Sequence, residues 1–132
     1  MEGNYFITVS HDYKTSAADI FSLLRAGKLF KLTGAENVTF DFSENGAFDL
    51  AFKSGKVHGQ FMKIIENEKV IMEWDSEGFN REPEKGTKVW ITILGNGKPE
   101  STVTIEHREI PTQESAQSKE KSWKRILEEL EK

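Results

Sequence analysis

The sequence contains no cysteine. That excludes disulfides, thiolate metal sites and a cysteine nucleophile, and it suits a cytoplasmic protein. Long apolar runs are also missing: none approaches the ~20 residues that a membrane span needs, and no basic-then-apolar segment suggests a secretory signal. Neither a membrane partner nor a signal peptide is therefore expected. Positive charge is not in excess, since 18 basic against 22 acidic residues leave a net charge of −4. A general grip on nucleic acid is thus disfavoured. Histidine is rare too. His11, His58 and His107 are scattered with no metal-ligand spacing, so no metal site and no cofactor is expected.

What is present is enough for one ordinary domain spanning 1–132. Surface scaling for this length buries about two-thirds of the extended chain's surface. Only 36% of residues are hydrophobic, but nine Phe, three Trp and two Tyr supply bulky core material.

The hydrophobic period changes along the chain. Tyr5, Ile7 and Val9 alternate with smaller or polar residues, a strand pattern. Ser16 then caps a helix with Asp19 in its first turn; Ile20, Leu23 and Leu24 share a face, and Gly27 stops it. A second short helix is expected over 28–33, ended by Gly34. From Val38 the period returns to two, with strands expected over 38–43, 47–52, 56–65, 70–74, 87–94 and 101–108. Asn45-Gly46 and Gly95-Asn96-Gly97 mark hairpin turns. Residues 75–86, polar and containing Pro83, read as one long irregular connection. After Pro111 a helix over 115–130 places Ala116, Lys119, Trp123, Ile126, Leu127 and Leu130 on one side.

Short turns make consecutive strands antiparallel neighbours, giving a six-stranded meander with the first strand free to pair beside the last. The fold class is α+β: a seven-stranded curved antiparallel sheet wraps around one long C-terminal helix, with one or two small helices after strand 1. One helix stripe cannot tile seven strands, so an apolar space between helix and sheet is expected, lined by Phe48, Phe61, Met72, Trp74, Ile91, His107 and Trp123. A ligand there would be lipophilic with a single hydrogen-bonding head.

The segments Gly46-Ala47-Phe48, Val57-His58-Gly59-Gln60-Phe61, and Ile64 followed by Lys69-Val70-Ile71-Met72-Glu73-Trp74 resemble the activator of heat shock protein 90 ATPase homologue family. Ser101-Thr102-Val103-Thr104-Ile105-Glu106-His107 continues the match, and Ser122-Trp123 with Ile126, Leu127 and Leu130 resembles the family's closing helix. Asn67 stands where many members carry Pro, and Leu32 or Thr33 where many carry Trp. The resemblance implies the START-like helix-grip fold. It also implies a chaperone of the heat shock protein 90 type as an alternative partner to a small hydrophobic molecule, and a cyclase or aromatase-type enzyme as a second alternative. The eukaryotic activator's separate N-terminal domain, which does most of the chaperone stimulation, has no room in 132 residues. A monomer or weak dimer is expected.

No constellation for catalysis stands out, so no catalytic residue is assigned and the chain reads as a non-enzyme. His107 shares parity with Val103 and Ile105 and should face the helix, where it either donates to a ligand or satisfies a polar group at the strand end. His58, Glu73 and Glu106 have outward parity. Trp90 does as well, either exposed at a partner surface or covered by a long side chain from a neighbouring strand.

Overall fold

The computed structural model describes residues 5–97 and 99–131. Strand β1 (Tyr5–Tyr13) leads into helices α1 (Ala17–Arg25) and α2 (Lys28–Lys31). Strands β2 (Asn37–Phe40), β3 (Ala47–Ala51), β4 (Gly55–Ile65), β5 (Lys69–Gly78), β6 (Arg81–Gly97) and β7 (Glu100–Ile110) follow, and α3 (Gln113–Glu129) closes the chain. They form one seven-stranded antiparallel sheet in the order β1-β7-β6-β5-β4-β3-β2, curved around α3. No described helix is long and apolar enough to cross a membrane.

Local chemistry sets the helix ends. The Ser16 side chain accepts from the Asp19 N–H, and Gly27 leaves α1 in the left-handed region at φ 81°. Thr112 caps α3 by accepting from the Ser115 N–H at 3.1 Å. At its other end, the buried Tyr13 hydroxyl donates to the Leu127 carbonyl at 2.5 Å, satisfying one of the last-turn acceptors. Helix α3 thereby lies against β1 and β7, with Trp123, Ile126 and Leu127 buried.

Two sequence expectations need correction. The strand expected over 38–43 ends at Phe40, because the Asp41 side chain bonds Ser43 and a tight turn through Asn45 (φ 70°) follows. The supposed irregular connection over 75–86 is mostly sheet: β5 runs on to Gly78 and β6 begins at Arg81. Phe79 and Asn80, both at positive φ, form the two-residue turn. The alternation signal failed here because the inward positions carry Ser76 and Glu84, which face each other across the strands, and because bulges on either side of Ser76 reset the parity.

Trp90 lies half-buried on the outer face, covered by the Arg108 guanidinium at 4.2 Å and the Lys69 ammonium at 5.6 Å from its ring centre. A neighbouring strand's long side chain thus covers it. His58 lies on the outer face within 3.7 Å of Glu77.

Candidate functional site

The core divides into two ends, and the division decides where space remains. At one end the small helices fill the concave face. Phe30 of α2 stacks on Phe48 at 4.9 Å between ring centres and approaches Phe61 at 6.1 Å. Only a void of about 10 Å³ is left among Phe61, Met72 and Ile91, about the room of one water. At the other end α2 no longer reaches. There a cleft of about 220 Å³ opens between α3, the ends of β5–β7 and the segment around Thr33.

Three of the residues expected to line a ligand space meet in this cleft: Trp74, His107 and Trp123. Phe61, Met72 and Ile91 lie instead around the small void, and Phe48 is 1% exposed, packed between Phe30, Phe61 and Trp74. The sequence reading distributed the space over the whole sheet; α2 concentrates it at one end.

His107 is fully buried, and both its ring nitrogens are engaged. The Trp123 indole N–H, which can only donate, reaches Nδ1 at 3.1 Å. Nδ1 is therefore the acceptor and Nε2 carries the proton, which it donates to Thr87 Oγ1 at 2.9 Å. The Thr87 hydroxyl in turn donates to the Trp74 carbonyl. Every hydrogen points the same way along Trp123, His107, Thr87 and Trp74. Burial, aided by the Lys119 charge, pushes the His107 imidazole well below its ordinary 6.5. A neutral, doubly bonded imidazole in this setting is a wall and a brace for two tryptophans, and it is not the polar group at the cleft mouth that a ligand head would meet.

This has a pH signature. A histidine that stays neutral when folded but protonates at 6.5 when unfolded leaves stability unaffected above that pH. Below it, the unfolded state binds more protons and stability falls by about 1.4 kcal/mol per pH unit. His107→Gln can accept from Trp123 and donate to Thr87 without titrating. Urea melts between pH 7 and 5 are expected to show a shallower loss for this variant than for the unsubstituted protein.

Beside the cleft runs an ion pair. Lys119 Nζ lies 2.7 Å from Glu84 Oε1 and 2.9 Å from Ser115 Oγ, and both charged side chains are almost wholly buried. Burial alone would raise the Glu84 carboxyl, but hydrogen bonds from Lys119 and Ser115 outweigh it and hold it below the ordinary 4.5. Burial lowers the Lys119 ammonium from 10.5, and Glu84 offsets only part of that. The sequence placed Lys119 on the inward stripe of α3 but gave it no partner, since Glu84 was assigned to a loop. A lysine between Ala116 and Trp123 on an otherwise apolar face was the available signal for a buried acid elsewhere.

The remaining walls are mixed. Phe52, Val57, Phe79 and Ile126 are apolar; Ser76, Ser118 and Ser122 offer hydroxyls, and Arg81 and Arg125 stand at the exposed rim. Among the described residues no group of three or more His, Asp or Glu could hold a metal ion.

A curved seven-stranded antiparallel sheet gripping a C-terminal helix, with small helices inserted after the first strand, defines a START-like helix-grip protein. Residues 14–132 match the family described as Activator of Hsp90 ATPase homolog 1-like protein, and the chain belongs to that family. Solved structures share the fold at low identity. A protein from Mesorhizobium loti superposes with a TM-score of 0.80 at 10% identity, covering 96% of this chain and 94% of its own. The Aha1 dimer from Colwellia psychrerythraea gives 0.76 at 17% identity, with 96% and 92% covered. An HSP90 activator from Plasmodium falciparum gives 0.74 at 16% identity, with 96% and 93% covered. No curated protein matches the chain.

Proposed function

We propose that the chain is a non-enzymatic binding protein that holds a small, largely apolar molecule in the cleft between α3 and the sheet. The observation that carries this reading is the cleft itself: about 220 Å³ of space floored by Trp74 and Trp123 in a core otherwise filled. It is smaller than the 300–1,000 Å³ of pockets for drug-sized ligands, so the ligand is small. The non-enzymatic reading is supported by His107, whose nitrogens are both occupied, and by Lys119, already bonded to Glu84. Neither is free to act as a base.

Native mass spectrometry of protein purified from its own host should reveal a co-purifying small molecule. Ser122 lies on the exposed side of α3 facing the cleft, so Ser122→Phe is expected to fill the space with little change in melting temperature. Binding of octan-1-ol or octanoate, followed by calorimetry, should weaken roughly tenfold or more in that variant, the cost of excluding a ligand from its apolar contacts. Unchanged binding would place the ligand elsewhere.

The family match and the Plasmodium falciparum HSP90 activator favour a second reading, in which a cytoplasmic chaperone of that type is bound through the outer surface. Stimulation of the chaperone's ATPase by this chain, retained in Ser122→Phe, would separate it from the first.

A further inference from the structure

The walls of the cleft carry a charge opposite to that of the chain. Asp and Glu make up 22 of 132 residues, and the net charge is −4. Yet among the described residues no carboxylate lines the cleft, whereas Lys119, Arg81 and Arg125 all do. Glu84 neutralises Lys119 from behind, at 2.7 Å. The two arginines are less tightly held: neither forms an ion pair with a described carboxylate, although the Arg81 charge also acts on Glu84. Arg125 donates one N–H to the Leu32 carbonyl at 3.1 Å, which fixes the side chain and leaves its other donors available. Arg81 rests on the Phe79 ring at 5.8 Å.

The hydroxyls point to the same chemistry. Ser76 is 5% exposed, lines the cleft, and its side chain hydrogen-bonds no other described residue. Ser118 and Ser122 follow one another by one turn on the cleft side of α3. Such hydroxyls can all donate, as the guanidinium groups can only donate. An apolar floor of two tryptophans beneath a rim of donors fits an amphiphile whose head only accepts.

We infer that the cleft selects small amphiphilic carboxylates, the apolar body lying on Trp74 and Trp123 and the carboxylate held by Arg81 and Arg125. This rests on the binding reading above and specifies its ligand class. A carboxylate gains charge-assisted, double hydrogen bonds from guanidinium that an alcohol of the same length lacks. The cationic rim would also repel an amine.

The test is a titration of the full chain with octanoate, octan-1-ol and octylammonium at low salt, read by tryptophan fluorescence and calorimetry. Octanoate is expected to bind at least about tenfold more tightly than octan-1-ol, with octylammonium weakest. In the double variant Arg81→Gln/Arg125→Gln the octanoate advantage over octan-1-ol should fall to within about twofold. Both arginines are exposed, so the variant should fold. Equal binding of octanoate and octan-1-ol by the unsubstituted chain would overturn the carboxylate inference and leave the pocket reading standing. An advantage that survives in the double variant would overturn the role of the arginines. Failure of all three probes to bind would overturn the inference together with the pocket reading.

Discussion

Lys119→Met is expected to destabilise the protein by about 3–5 kcal/mol, because it leaves a charge buried without its partner. Glu84 is 4% exposed and takes a 2.7 Å bond from Lys119. The double variant Glu84→Met/Lys119→Met, of similar volume and no charge, should recover most of the loss, since neutral replacement of a buried pair costs little or nothing. The pH dependence provides the sign. In the unsubstituted protein Glu84 is held below 4.5, so its stabilising contribution is present above that pH and is lost as the pH falls through the folded value. Without Lys119, burial, the largest influence, is opposed only by the Ser115 hydrogen bond and the Arg81 charge, and the carboxyl rises. The penalty of the single variant relative to the double should then shrink as the pH falls from 8 to 5, as the stranded carboxyl takes up a proton. Urea melts of the three proteins across that range would measure it. A single-variant loss under roughly 1 kcal/mol would mean that Glu84 finds water on its own.

Trp123→Ala is expected to cost a comparable amount, about 3–5 kcal/mol, for removing a large buried aromatic. Trp123 is 3% exposed and packs edge-on against Trp74 at 5.2 Å between ring centres. Its loss also strips the donor from His107 Nδ1, which lies 3.1 Å away. Trp123→Phe separates the two contributions. It keeps most of the packing but leaves Nδ1 buried and unsatisfied, and should cost about 1–3 kcal/mol. Combining Trp123→Phe with His107→Leu should then be less damaging than the sum of the single changes, since no acceptor is left stranded. Denaturant midpoints at constant slope would establish both values. Strict additivity would show that the indole N–H contributes nothing through His107.

Much of the fold was readable in the residues. Ser16 and Asp19 announce α1, Asn45-Gly46 turns the chain before β3, and the Trp123, Ile126 and Leu127 stripe orients α3. Each is local: a cap, a turn or a helical face is encoded within a few positions. The segment over 75–86 was misread for the same reason. Its strands bury Ser76 and Glu84, so alternation carries no apolar mark, and the burial of Glu84 depends on Lys119, 35 residues away.

The site was legible only in part. Parity alone turned Trp74 and His107 inward and helical spacing did the same for Trp123, and these three meet in the cleft. That Phe30 would fill the space beside Phe48 and Phe61, and that Arg81 and Arg125 would stand over what remained, followed from no periodicity. A short helix of four residues has too little pattern to say how deeply it inserts. The sequence by itself determined which side of each element is apolar, because that is a property of spacing along one strand or helix. Only the tertiary structure decided where the filled core stops and the cleft begins, because void space depends on how volumes from distant elements add up at one place.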